Sequence, residues 1–208
     1  LWEEAVKLSD MAIKRKIAAP ILYYYKAYCE SRLGGDGMVT LRLAQRARKD
    51  QFFHNRLMDI LVLQEAAGKN ELDARAPYYL GNIFYDKRQW DEARDWWELS
   101  AERNSFFPTS LRNLALGYCN KDGRPGKALE YMTKAFLLDG KDSRLFMELD
   151  QLRKRLRHGP SERLKSFLSH LDLVEERDDL VLERATLLNL TGKYGEAMSL
   201  IESRKFHP

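Results

Sequence analysis

Small residues recur in this chain at one interval, and that interval limits the fold more than any composition does. Gly81 and Ala115 stand 34 residues apart, and Ala115 and Ala185 stand 70 apart, two periods of 35. Each is followed by a second small residue: Gly81 by Ala93, Ala115 by Ala128 and Ala185 by Ala197, at spacings of 12, 13 and 12. A hydrophilic turn lies between the members of each pair: "DKRQ", "NKDGRPG" and "LTGK". Ala27 extends the pattern upstream, since Ala5 to Ala27 is 22 residues, the spacing from Ala93 to Ala115. Two antiparallel helices approach to about 8–10 Å only where small side chains face each other at the crossing. Large neighbours, here Leu80, Phe84 and Trp97, then lock the pair. A hairpin of this size cannot bury its apolar face alone, so successive hairpins stack.

The spacing gives a use to the rings in "PYYLGNIFYDKRQWDEARDWW", residues 77–97. Phe84, Trp90 and Trp97 fall at core positions of the hairpin, whereas Tyr78, Tyr85 and Trp96 lie off that stripe, open to a groove or solvent. Apolar periodicity predicts helices at 2–16, 20–33, 38–49, 53–67, 75–87, 91–103, 109–120, 125–138, 143–157, 161–170, 178–191 and 194–203, and no strands. The interval breaks between Ala27 and Gly81, so one irregular helix or short hairpin is expected at 51–72. A degenerate unit is expected at 142–176, because Asp150 takes the first small position and Leu164 the second; its hairpin should be more open. The expected whole is one repeat domain over 1–208, opening in mid-hairpin as a fragment of a longer chain.

These positions resemble the tetratricopeptide repeat (TPR), a helix-turn-helix unit of about 34 residues. The resemblance rests on Leu80, Gly81, Phe84, Ala93 and Trp97, then Leu114, Ala115, Tyr118, Ala128 and Ala135, then Ala185, Leu188, Gly192, Tyr194, Ala197 and Ile201. It implies an all-α, right-handed α-solenoid of tetratricopeptide-like hairpins. The phrases "APYYLGNIFYDKRQWDEA", "NLALGY", "FMELDQLRKRL" and "ATLLNLTGKYGEAMSLIESRKFHP" further resemble the C-terminal repeat region of large bacterial proteins. Those proteins carry an N-terminal β-rich domain of unknown function and a suspected link to carbohydrate metabolism.

The residues argue against catalysis within this chain. The four histidines, His54, His158, His170 and His207, share no helix at metal-binding spacing, and no H-E-x-x-H, C-x-x-C, P-loop or G-x-S-x-G occurs. "GGDG" at 34–37 is a turn, since no strand precedes it. Carboxylate runs such as "DEARD" and "EERDD" fall on polar helical faces. No cofactor and no metal are therefore expected. Cys29 and Cys119 form no disulfide framework and read as buried thiols in a reducing compartment, which points to a cytoplasmic protein. No membrane partner is expected without a long apolar run. The net charge of +4 is too mild to argue for nucleic acid. The basic clusters "KRK" at 14–16 and "RKRLR" at 153–157 suit helix ends.

In the resembled fold, the first helix of each hairpin lines a concave groove. Counted from the small residue, the groove positions include Tyr24 and Tyr28, then Arg75, Tyr78, Asn82 and Tyr85, then Arg112, Leu116 and Asn120, then Arg144, with Asn113 among the partner-binding candidates. Some family members clamp a partner's terminal carboxylate there. Asn82, Asn113 and Arg144 fall near such positions, while Tyr78 and Glu148 replace basic residues. The expected function is a non-catalytic scaffold that binds a protein or peptide, including another domain of its parent chain. The alternative is a helical accessory region of a carbohydrate-active enzyme whose catalytic domain lies elsewhere. Self-association through uncapped repeat ends is a further expectation.

Overall fold

The computed structural model describes residues 1–15, 19–47 and 54–206. These residues form thirteen helices, one more than the periodicity predicts, and no strand. Their backbone contacts gather into two compact units, Leu1–Ser110 and Leu111–Pro208.

The first unit contains α1 (Trp2–Lys14), α2 (Pro20–Arg32), α3 (Met38–Arg46), α4 (Leu57–Lys69), α5 (Arg75–Asp86) and α6 (Trp90–Arg103). The turn between α2 and α3 needs its glycine. Gly37 holds φ at 69°, and a Cβ there would stand 2.7 Å from the Ala27 carbonyl oxygen. Tyr24, Ala27, Leu41, Ala44, Val62, Leu63, Ala66, Leu80 and Ile83 make one continuous core. The α4 helix begins later than the periodicity suggests. The Asp59 carboxylate accepts the Arg56 backbone N–H at 3.1 Å and fixes the entry there. The connection to α5 is held by polar groups. Fully buried Asp73 accepts the Tyr24 hydroxyl at 2.7 Å and the Arg75 backbone N–H at 2.8 Å. Arg103 donates to the carbonyls of Ala67, Asn70 and Asp73 at 2.9, 3.2 and 3.1 Å.

In the α5–α6 hairpin, Gly81 and Ala93 are both buried, but the close partner of Gly81 is Trp97. A Cβ on Gly81 would meet the indole Cδ1 at 2.3 Å, so the flat ring lies across the bare backbone. Trp97 is buried as expected. Phe84 and Trp90 are half-buried, because Tyr79 and Ile83 fill the centre instead. Ser100 docks the next turn of chain: its hydroxyl donates to the Ala74 carbonyl at 2.8 Å and accepts from Ser110 at 2.9 Å.

The helix α7 (Pro108–Asn120) opens in the first unit and runs on into the second. There follow α8 (Pro125–Leu138), α9 (Ser143–Arg155), α10 (Pro160–Leu168), α11 (Leu171–Glu175), α12 (Asp178–Leu190) and α13 (Tyr194–Glu202). Ala115, Ala128, Ala185 and Ala197 are all buried, like Ala27 and Ala93 in the first unit. The short α11 was not predicted. Five residues carry too little periodicity to read, although Leu173 and Val174 are buried. Helix α9 ends at Arg155, two residues early, and Arg157 turns the chain at φ 64°. Asp150, at a small-residue position, is 2% exposed and faces Arg163 of α10, which is 4% exposed. Among the described residues, no helix is long and apolar enough to cross a membrane. Cys29 and Cys119 are buried free thiols.

Candidate interaction cleft

Helices α7 and α9 are the first helices of successive hairpins in the second unit. Their packing follows from local sequence. Asp142 caps α9 by accepting the backbone N–H groups of Arg144 and Leu145 at 2.8 and 3.2 Å. Leu145, Phe146, Leu149 and Leu152 are then buried. The remaining faces of α7 and α9 bound an open cleft of about 400 Å³. Leu116, Cys119 and Asn120 line it from α7, and Glu148, Gln151, Leu152, Lys154 and Arg155 from α9.

Two arginine contacts brace the helices. Arg112 of α7 donates through Nε to Glu148 Oε2 at 2.6 Å and through a terminal nitrogen to Glu148 Oε1. Arg155 of α9 donates to the Cys119 sulfur at 3.0 Å. Both braces join residues 36 apart in sequence. Residues 112 and 119 lie two turns apart on α7, so the braces are separated by roughly 10 Å. Arg144 also donates to Glu148, at 3.3 Å. Further along α9, Lys154 binds both Glu183 oxygens at 2.9 and 3.0 Å, and Arg163 binds Glu183 at 2.6 Å. Burial alone would push the Glu183 carboxyl up, but the hydrogen bonds from Arg163 and Lys154 outweigh it and hold the group below the usual glutamate range.

The predicted groove residues fall in both units. On α5, Tyr78 packs against the rings of Tyr79 and Phe107 at centroid distances of 5.4 and 4.9 Å. Asn82 accepts the Trp97 indole N–H at 3.1 Å and so fixes the residue that covers Gly81. Tyr85 lies 4.8 Å from Trp90 and 5.3 Å from Trp97. All three are half-buried, as are Tyr28 and Arg75, but Tyr24 does not face a groove: it is fully buried and donates its hydroxyl to Asp73 in the core. In the second unit, Arg112 is held by Glu148 and also donates to Asn113 Oδ1 at 3.4 Å. Asn120 is exposed on the cleft wall, and Arg144 is exposed beside it. Gln151, Lys154, Arg155 and Cys119 complete the cleft without having been singled out for it. The offset of 36 that pairs Arg112 with Glu148 also pairs Cys119 with Arg155, and that signal was present in the sequence.

The basic run at 153–157 is partly tied into the fold, since Arg153 donates to Ser166 at 2.9 Å and Lys154 binds Glu183. Lys16 of the "KRK" cluster lies outside the described residues, as does His207. Among the described residues, no group of three or more His, Cys, Asp or Glu side chains could hold a metal ion. Exposed apolar side chains occur on α1, at Trp2, Leu8 and Met11, and around a second hollow of about 390 Å³ between α12 and α13, at Leu182, Tyr194, Met198 and Ile201.

No family model matches the chain. Solved structures do resemble it. One is YrrB, described as a TPR protein with an unusual peptide-binding site: 17% identity, 93% of this chain and 89% of that one covered, TM-score 0.57. Another is the C-terminal part of a TPR repeat-containing protein from Cytophaga hutchinsonii: 20% identity, 97% and 72% covered, TM-score 0.57. A third is pilF of Pseudomonas aeruginosa: 14% identity, 96% and 88% covered, TM-score 0.53. At these identities the likeness establishes the fold: an all-α solenoid built of tetratricopeptide-type helical hairpins.

Proposed function

We propose that this TPR-type chain is a non-catalytic interaction scaffold. It docks a peptide segment of a protein partner, including a domain of its own parent chain, in the cleft between α7 and α9, and it works in the cytoplasm. The observation that carries the reading is the composition of that cleft. Leu116 and Leu152 offer apolar contact, while the side-chain amides of Asn120 and Gln151 can hydrogen-bond a peptide backbone. The braces at Arg112–Glu148 and Cys119–Arg155 hold the two walls before any ligand arrives, which lowers the ordering cost of binding. Arg112, Asn113, Asn120 and Arg144 are the proposed contact positions on the first helices of the second unit, and Tyr78, Asn82 and Tyr85 are those of the first unit taken by itself. The YrrB peptide-binding site lends the reading support by analogy of fold alone.

Site-specific photocrosslinking tests it. A benzophenone side chain placed at exposed Gln151 should give protein-sized adducts in the producing cell, and one at exposed Glu130 on α8 should not. Equal labelling from both positions, or none from Gln151, would count against the cleft.

A further inference from the structure

We infer that the occupant of the α7–α9 cleft is an acidic peptide segment, read by the guanidinium of Arg155. The inference rests on the proposed docking function and adds the chemistry of the partner. It follows from where the charges in and around the cleft are already matched. Lys154 and Arg163 are answered by Asp150 and Glu183. Glu148 is shared by Arg112 and Arg144, two cations on one carboxylate. Arg155 donates to the Cys119 sulfur at 3.0 Å, and a thiol is a weak, uncharged acceptor. No carboxylate partners Arg155 in the hydrogen bonds or ion pairs of the described residues. The cleft therefore carries an excess of positive charge at its Arg155 end, beside the amides of Asn120 and Gln151.

A carboxylate is the complementary group, because it can take the planar guanidinium in a bidentate fork that the thiol cannot offer. The roughly 10 Å between the two braces corresponds to about three residues of extended chain. A short extended segment thus fits, with an Asp or Glu at Arg155 and an apolar side chain on Leu116. Nucleic acid suits the cleft less well, because no aromatic ring lines it for base stacking.

The test is selection of random twelve-residue peptides on the intact chain. Wild type, Arg155→Gln and the cleft-filling Leu116→Trp are compared, each checked for a native helical spectrum. Gln151→Trp on the exposed wall serves if Leu116→Trp does not fold. Wild type should enrich Asp and Glu several-fold over the input. A synthetic peptide of the selected sequence should bind about tenfold more weakly to Arg155→Gln, and about tenfold more weakly on raising salt from about 50 to about 300 mM. Its Asn/Gln analogue should bind wild type and Arg155→Gln alike, and the filled cleft should bind neither. Selection of neutral peptides that the filled cleft rejects but Arg155→Gln keeps would overturn the acidic reading and leave peptide docking standing. No selection at all, or peptides kept by the filled cleft, would overturn both. Tighter binding of a single-stranded RNA of matching length than of the selected peptide would assign Arg155 to phosphate and overturn the inference.

Discussion

Arg163 on α10 donates to both oxygens of Asp150 on α9, at 2.9 and 2.6 Å, with both side chains almost wholly out of water. A bidentate ion pair thus stands where the other hairpins put a small residue. Removing Asp150 strips the buried guanidinium of two of its three hydrogen bonds to carboxylate oxygens and leaves Glu183 as its one remaining acidic partner among the described residues. Asp150→Ala should cost about 3–5 kcal/mol of stability, whereas the paired change Asp150→Leu with Arg163→Met should recover most of that loss. Urea unfolding of the three chains measures both. A single variant within error of wild type would mean that the pair contributes nothing to the fold.

Glu183 sets the acid limit of the same network. Its folded pKa lies below the ordinary glutamate value, so its contribution is complete above that value and is lost as pH falls through the folded pKa. Glu183→Gln should therefore be less stable than wild type at pH 7, with the gap closing below about pH 4. Unfolding midpoints across that range give the answer. A gap that stays constant down to pH 3 would contradict the assignment.

Gly81 is required for room, not for backbone freedom. Gly81→Ala should cost about 1–3 kcal/mol, since its Cβ would penetrate the Trp97 ring. In a Trp97→Leu background the same change should be neutral, or stabilising by up to about 1 kcal/mol, because alanine is the better helix former. Thermal unfolding of the double-mutant cycle tests that reversal of sign.

Tyr24 and Asp73 make the corresponding buried link in the first unit. Tyr24→Phe removes a hydrogen bond to a buried carboxyl group and should cost about 1.5–3 kcal/mol. Burial, reinforced by Asp73, raises the Tyr24 hydroxyl well above its ordinary value. A raised folded pKa favours the neutral phenol, so this contribution is complete below the unfolded value of about 10 and is lost as pH rises beyond it. In an alkaline absorbance titration, Tyr24 should ionise only as the chain unfolds. The loss of one late-titrating phenol in Tyr24→Phe is the expected change.

Much of the fold was legible because helical order is local. The spacing of Gly81, Ala93, Ala115, Ala128, Ala185 and Ala197 marks the hairpins, and all six residues are buried. The five residues of α11 were not legible, since so short a helix is held by burying Leu173 and Val174 and not by its own periodicity. The candidate site was legible only in part. Asn120 and Leu116 reach the cleft from their repeat positions, but Asn82 proves to be bonded to Trp97, and a sequence position alone does not say which way a polar group is satisfied.

By itself the sequence determined that this protein is a stack of helical hairpins, because the interval between compact residues sets where helices can touch. Only the tertiary structure decided which charges remain unanswered. Asp150 finds Arg163, Glu148 is shared by Arg112 and by Arg144 one turn before it, and Arg155 meets a thiol, because packing decides which of several possible partners comes within reach. Chain connectivity fixes the first outcome; the three-dimensional accounting of partners fixes the second.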